Sequence, residues 1–277
     1  MDFHGINGEI VSYDDARLHL SDIGFRRGYS AFDYLRIVRG RPLFLEDHLD
    51  RFENSASILG LDLPLVRADL RAHLLELIER NGIDGAGLQL FLSGGPADDG
   101  FTPGAPQLYI YLGRLPRFEP VLYERGAKLI THRYLRDLPE AKTTNYLMAV
   151  HLGTAMRSAG AVDALYHDGE RVLEATRSNL FVVTETGVLA TPERDILAGV
   201  TRKNMLRALD GELEVELRDV SLAELRSARE AFLTSTTKGA LPICWVDDRP
   251  VGDGRPGPVT TQVARLFEAW LERYLMN

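Results

Sequence analysis

The sequence predicts a mixed α/β fold of the α+β class, built in two parts, and three observations predict it. Strand-like segments in the first half return on themselves through tight turns, while its two main helical segments come as a consecutive pair and not one after each strand. Two prolines fall within residues 115–120, between one apolar run and the next. Beyond them, short apolar strands resume, separated by polar clusters and small-residue helix starts. We therefore expect a smaller N-terminal α+β domain over 1–115, a linker over 116–126 and a larger C-terminal domain over 127–277. A chain of 277 residues is long enough for two cores.

Taken in order, residues 3–11 read as a hairpin with Asn7-Gly8 at the turn. Residues 30–38 alternate as a strand, Arg39-Gly40 turns it, and 41–44 pair back. A helix over 45–59 puts Leu45, Leu49, Phe52, Ala56 and Leu59 on one face, with Arg51 near its edge. After Gly60 and Pro64, a second helix carries the stripe Val66, Leu70, Leu74, Leu77 and Ile78. Strands over 87–92 and 107–112 flank a stretch rich in glycine and proline, 93–104, whose length suits a lid or binding loop.

In the second half, residues 127–131 form a short strand. Lys142 then stands in Pro139-Glu140-Ala141-Lys142-Thr143-Thr144-Asn145-Tyr146-Leu147-Met148, just ahead of an amphipathic helix. Met148, Leu152, Ala155 and Ala159 make that helix's apolar face and Gly160 ends it. A lysine in partly dry surroundings keeps its amine free and nucleophilic near neutral pH. Taken alone, a lysine ahead of a helix is more often a solvated one. Strands at 164–166 and 171–174 are joined by a turn over 167–170. The polar run 174–179 lies between apolar strands, where its groups must be paired or used. Another strand spans 187–190.

Leu197-Ala198-Gly199-Val200-Thr201-Arg202 leads into a helix that ends near 209. A small-residue loop meeting a helix N-terminus suits an anion. The strand from Ala231 runs into Thr234-Ser235-Thr236-Thr237, hydroxyls that serve either an ordinary turn or an anion. The last helix starts near Pro258 and carries Val263, Leu266, Phe267, Trp270, Leu271 and Tyr274.

Composition narrows the function classes. The chain is 45% hydrophobic and 26% charged, with net charge −8 and both signs interspersed. It has no basic block of the kind that binds nucleic acid. The single cysteine, Cys244, lies in an apolar strand and reads as a core hydrophobe. No apolar run approaches the roughly 20 residues of a membrane helix, and no signal peptide precedes the first strand. A cytoplasmic protein without membrane or nucleic-acid partners is the expectation. Walker, dinucleotide, His-Glu-x-x-His and Gly-x-Ser-x-Gly motifs are all missing, and the seven histidines stand singly, without metal-ligand spacing.

The order of a lysine, a glutamate about thirty residues on, a Gly-Val-Thr-Arg helix start and a Thr-Ser-Thr-Thr turn resembles the fold-type IV pyridoxal-phosphate enzymes. Arg27-Gly28-Tyr29-Ser30-Ala31-Phe32-Asp33-Tyr34 and His48-Leu49-Asp50-Arg51-Phe52 extend the resemblance over nearly the whole chain. It is closest to the less usual D-amino-acid transaminases, which carry an arginine ahead of Gly-Tyr and another in the Glu-x-x-Arg-Ser-Asn run, here Arg27 and Arg177. The resemblance implies that Lys142 forms the Schiff base with pyridoxal 5'-phosphate and that Glu174 bonds the pyridine nitrogen. It further implies that Arg51, the backbone at Val200 and Thr201, and Thr236 bind the phosphate. Leu197 would pack on the ring and Tyr146 would sit near the Schiff base.

Arg27 and Arg177 would clamp a substrate carboxylate, with Thr237 adding a contact. The related enzymes have an arginine where Gln89 stands, and its loss argues against dicarboxylates. The implied reaction moves an amino group from a D-amino acid, with some tolerance for (R)-amines, to a 2-oxo acid in a homodimer. Which subunit supplies Arg27 is open. The alternatives are an L-branched-chain aminotransferase, an aminodeoxychorismate lyase and, more remotely, a non-catalytic binding protein of the same fold.

Overall fold

The Asn7-Gly8 turn joins β1 (Phe3–Ile6) to β2 (Glu9–Ser12) as an antiparallel hairpin in the computed structural model, which describes residues 1–276. Both turn residues take positive φ, 51° and 91°, the backbone that a two-residue hairpin of this twist needs. Next come α1 (Ile23–Arg27), β3 (Ser30–Val38), β4 (Arg41–Pro42), α2 (Leu45–Ile58), α3 (Arg67–Asn81), β5 (Gly85–Ser93) and β6 (Gln107–Gly113). The described strands of this part form one antiparallel sheet ordered β2-β1-β6-β5-β3-β4.

Period-two alternation decides the faces. In β3, Ala31, Asp33, Leu35 and Ile37 are buried, while Phe32, Tyr34 and Arg36 are half-buried on the other face. α2 buries Leu45, Leu49, Phe52 and Ala56, and α3 buries Leu70, Leu74, Leu77 and Ile78, all in one core with β3, β5 and β6. Val66 is not part of that stripe. It precedes the helix in extended conformation and is 68% exposed.

The second part contains α4 (Val121–Arg125), β7 (Ala127–Arg133), α5 (Leu147–His151), α6 (Gly153–Ala159), β8 (Asp163–His167), β9 (Arg171–Ala175), β10 (Asn179–Val183) and β11 (Leu189–Thr191). It continues with α7 (Val200–Leu209), β12 (Val215–Leu217), β13 (Val220–Ser221), α8 (Leu222–Ser227), β14 (Glu230–Ser235), β15 (Gly239–Val246), β16 (Arg249–Pro250) and α9 (Pro258–Met276). Its sheet runs β12-β11-β10-β14-β15-β7-β8-β9-β13, with β16 on β15. The pairs β11/β12, β15/β7 and β7/β8 are parallel and the rest antiparallel. Every residue of β10 is buried, as a central strand covered on both faces requires.

Several expectations need correction. The helix after Lys142 is broken into α5 and α6 at Leu152. Ala155 is exposed and Ala159 half-buried, so the packing comes from Leu152, Met148 and Met156 against Tyr166, Leu173 and Ile196. On α9, Val263 and Phe267 are buried, while Leu266, Trp270 and Leu271 are half-buried and Tyr274 is exposed. The expected linker contains α4, and residues from Arg117 onward cluster with the second unit. The chain divides into Met1–Pro116 with Ala141–Asn145, and Arg117–Glu140 with Tyr146–Asn277. Lys142, expected in the larger domain, is therefore part of the first unit, because its backbone pairs with β3. Among the described residues no helix is long and apolar enough to cross a membrane, and no group of three His, Cys, Asp or Glu could hold a metal ion.

Candidate active site

In the first unit, residues 141–145 run beside β3. Thr143 forms an antiparallel bridge with Ala31. Phe32 N–H donates to the Lys142 carbonyl (2.8 Å), and Thr144 N–H donates to the Ser30 carbonyl (3.0 Å). Thr144 Oγ1 donates to the Gly28 carbonyl (3.1 Å). Lys142 N–H donates to Ser55 Oγ (3.0 Å), and Ser55 Oγ–H donates to the Arg51 carbonyl (2.8 Å). Both backbone polar groups of Lys142 are thus used, and its backbone is fixed. Nζ lies 4.1 Å from the centroid of the Phe32 ring, a cation–π distance. The lysine is positioned by strand-like pairing, not by the helix: α5 begins five residues later at exposed Leu147.

Arg51 projects from α2 and forks onto Asp33, Nε to Oδ2 and Nη2 to Oδ1, each at 2.8 Å. His48 Nδ1, one helical turn earlier, is 2.7 Å from Asp33 Oδ1. Burial pushes the Asp33 carboxyl up, but the charge and forked hydrogen bonds of Arg51, with the hydrogen bond of His48, outweigh it and hold it well below the usual carboxylate range. Burial dominates at His48 and lowers its pKa. One carboxylate already matched by Arg51 cannot compensate a second buried cation, so His48 donates as the neutral ring. Asp33 and His48 stand in the segments that carry the resemblance, but neither received a role from the sequence. An aspartate inside the buried set of an alternating strand, with His and Arg at i and i+3 of the next helix, was the available signal.

Arg27 is exposed at the end of α1. Its Nε donates to the Gly100 carbonyl (3.3 Å), and its guanidinium lies 4.9 Å from the Phe101 ring centroid, so it meets the 93–104 loop. Gln89 is half-buried on β5, opposite Tyr34 of β3 and Tyr111 of β6.

In the second unit, Glu174 lies near the end of β9. Its Oε1 accepts from Arg136 Nε (2.7 Å) and its Oε2 from Leu197 N–H (3.1 Å). Both side chains are nearly dry, 7% and 14% exposed. Arg136 also donates to the Pro139 carbonyl. The Leu197 carbonyl accepts from Asn179 Nδ2 (2.8 Å), so Leu197 is gripped on both sides. Gly199 precedes α7, and a Cβ there would stand 2.0 Å from Asn179 Oδ1. Only glycine allows this approach. Val200 and Thr201 begin α7, where backbone N–H groups have no acceptor within the helix. Arg202 turns away: its buried guanidinium donates to Thr191 Oγ1 (3.1 Å) and the Pro192 carbonyl (3.0 Å).

Tyr146 is half-buried at the start of α5. Thr236 and Thr237 are the central residues of a turn closed by Lys238 N–H on the Ser235 carbonyl (3.2 Å). Arg177 is the exposed apex of the turn closed by Ala175 N–H on the Ser178 carbonyl (2.8 Å). Within this unit, Glu174 and Leu197 are joined directly. The Arg177 and Thr236 turns leave the same end of the paired strands β10 and β14, where Asn179 faces Thr234. Arg136 and Asn179 were not singled out in the sequence, since nothing local marks a distant ion-pair partner.

A family model described as amino-transferase class IV matches residues 30–246. The D-alanine aminotransferase of Bacillus licheniformis is 30% identical over 263 residues, covering 93% of each chain. The structure of a T.th. branched-chain amino acid aminotransferase with pyridoxamine 5'-phosphate superposes with a TM-score of 0.89 at 26% identity, covering 98% of this chain and 94% of that one. The branched-chain amino acid aminotransferase from Escherichia coli gives 0.87 at 25% identity, with the same coverage.

Pyridoxal phosphate is the cofactor of such enzymes, and the donor set suits it. The first unit offers a primary amine on a fixed backbone. The second offers a dry carboxylate with both oxygens oriented and a helix start with no room for a side chain at Gly199.

Proposed function

The chain belongs to the class IV aminotransferases, and from that premise we propose that it transfers an amino group from a D-amino acid to a 2-oxo acid. The observation that carries the reading is the fixed backbone of Lys142, bonded on both sides to Phe32 and Ser55 with its amine beside the Phe32 ring. Bound pyridoxal phosphate supplies the carbonyl that takes up the amino group and the ring that withdraws electrons from the carbon losing its proton.

The chain does the rest. Lys142 would hold the cofactor through its amine and would serve as base and then acid for the proton at the substrate carbon. Glu174 holds a proton at the ring nitrogen, its carboxylate kept in one orientation by Arg136 and the Leu197 N–H. The phosphate would be held by Arg51, the N–H groups of Val200 and Thr201, and Thr236. Leu197 would pack against the bound group, with Tyr146 near it.

The D-specific part of the reading rests on Arg27 and Arg177. Unlike Arg51, Arg136 and Arg202, they are exposed, and two guanidiniums can fork a carboxylate, with Thr237 adding a hydroxyl. A neutral amide at Gln89 favours monocarboxylates and some (R)-amines. Exposed Leu20, Phe25 and Phe101 support a homodimer that covers them. The lone thiol, buried at Cys244, supports a cytoplasmic setting. Structural likeness to branched-chain enzymes favours a second reading, L-branched-chain transamination.

The test compares D-alanine with L-leucine as donors to one 2-oxo acid. Conversion of D-alanine, with bleaching of the yellow protein, is expected. Turnover of L-leucine with D-alanine inert overturns the D reading. Borohydride reduction and peptide mapping should tag Lys142, and a tag elsewhere removes the premise of the mechanism.

A further inference from the structure

Lys238 is 3% exposed, and lysines are almost never so buried unless paired. Its Nζ donates to Asp163 Oδ2 (3.0 Å) and to Ser178 Oγ (2.8 Å), and lies 5.5 Å from the Phe118 ring centroid. Asp163 is fully buried on β8. Its Oδ1 accepts from Ala164 N–H (3.0 Å), Thr176 N–H (3.2 Å) and Thr176 Oγ1–H. The backbone of Lys238 is held as well: its N–H closes the Thr236-Thr237 turn, and its carbonyl accepts from Tyr123 Oη (2.9 Å). Gly239 follows at φ +60°, the left-handed residue that ends a three-residue hairpin loop.

Thr176 and Ser178 flank Arg177 in the neighbouring turn. A single ammonium thus ties the turn that carries Thr236 and Thr237 to the turn that carries Arg177, and anchors both to β8 through Asp163. Neither turn has an apolar side chain at its apex to fix it by packing. In low dielectric these charge-assisted bonds are strong, and each lost partner is costly.

We propose that Lys238 is a positioning residue for the active site: it locks the Thr236 hydroxyl in place to receive the cofactor phosphate, in fixed relation to the Arg177 turn. This rests on the reading that Thr236 is a phosphate contact.

The experiment titrates the full-length protein, freed of cofactor, with pyridoxal 5'-phosphate and separately with pyridoxal, which lacks the phosphate. Removing Lys238 alone strands a buried carboxylate, so the variant is the charge-neutral pair Lys238→Met with Asp163→Asn. Its affinity for the phosphorylated ligand should fall about tenfold, the worth of one well-placed hydrogen bond, while its affinity for pyridoxal stays at the wild-type value. Equal loss on both ligands, or loss on neither, overturns the proposal.

Thr236→Val separates the proposal from its premise. If that variant binds both ligands as the wild type does, the phosphate reading fails and the proposal with it. If it alone loses affinity for the phosphorylated ligand, only the role of Lys238 is overturned. Should the double variant not fold, Ser178→Ala, which leaves the Lys238–Asp163 pair intact, decides. A selective loss of about threefold supports the proposal, and an unchanged preference for the phosphate overturns it.

Discussion

Phe32 donates its backbone N–H to the Lys142 carbonyl over 2.8 Å and lays its ring 4.1 Å from the Lys142 amine. The backbone bond survives substitution and the ring contact does not. Phe32→Ala should therefore keep the protein yellow but lower kcat by about tenfold, since cation–π contacts are worth roughly 0.5–2 kcal/mol. Lys142→Ala should remove the covalent colour and cost at least about 10²–10⁴-fold in turnover. Single-turnover absorbance changes with D-alanine separate the two. A Phe32→Ala protein as active as the wild type would deny the ring any part in placing the amine.

Arg136 and Glu174 form a nearly dry ion pair. Arg136→Met leaves the buried Glu174 carboxylate without its guanidinium, and the expected cost is about 3 kcal/mol in urea unfolding. Adding Glu174→Gln should recover part of that stability, because the stranded charge is gone, while turnover falls further. A double-mutant cycle in which the two stability losses simply add would mean that the pair is not coupled.

His48 makes stability depend on pH. Its folded pKa lies below the ordinary value of about 6.5. As pH falls through that ordinary value, the unfolded chain takes up the proton first. The contribution is complete above about pH 6.5 and is lost as pH falls toward the folded value. Asp33, also depressed, acts in the same direction, from the ordinary carboxylate range downward. The urea midpoint should be flat from about pH 8 to 7 and fall below about 6.5. His4, His73 and His167 are lowered too, by burial first, so the informative quantity is a difference. His48→Asn, which keeps a donor toward Asp33, should shallow that fall. An unchanged slope would show that His48 takes up its proton alike in the folded and unfolded chain.

The fold was legible where one local signal decided an element. Asn7-Gly8 dictated a hairpin, alternation dictated β3, and the stripes from Leu45 and Leu70 dictated α2 and α3. It was less legible where tertiary pairing decided. The Met148–Ala159 pattern reads as one buried helix, yet the chain breaks at Leu152 and turns alanines outward. Lys142 stands out by its order among Glu174, Val200-Thr201 and Thr236, but its attachment to β3 does not, because that depends on bonds to residues more than eighty positions away. Arg136, Asn179 and Lys238 are hidden for the same reason. A buried polar partner carries no periodic mark and is seen only once its neighbour is in place.

Phe101 steers Arg27. The guanidinium donates to the Gly100 carbonyl and sits over the Phe101 ring, while Asp99 Oδ1 accepts from the N–H groups of Phe101 and Thr102 and so shapes the loop tip. Phe101→Ala should free Arg27 to sample solvent and raise KM for D-alanine about threefold, a cost on the scale of one exposed cation–π contact, with kcat nearly unchanged. An (R)-amine without a carboxylate should be indifferent to the change. Equal effects on both donors would detach Arg27 from carboxylate recognition.

Gly199 concentrates the second unit's demands on one position. Its missing Cβ leaves room for Asn179 Oδ1 at 2.0 Å from where that carbon would be, while the Asn179 Nδ2 atom holds the Leu197 carbonyl. Leu197 N–H in turn holds Glu174 Oε2. A methyl at Gly199 must push Asn179 aside or shift the start of α7, and overpacking of this kind costs roughly 1–3 kcal/mol. Its φ of −63° is open to any residue, so the penalty is contact and not backbone strain. Gly199→Ala should therefore lower stability and weaken cofactor binding together, since Leu197 and the first N–H groups of α7 move as one. Asn179→Ala in the Gly199→Ala background should restore the room and part of the stability but not the grip on Leu197, leaving cofactor affinity low. If the double variant regains both, Asn179 is only an obstacle, and the orientation of Glu174 does not pass through Leu197.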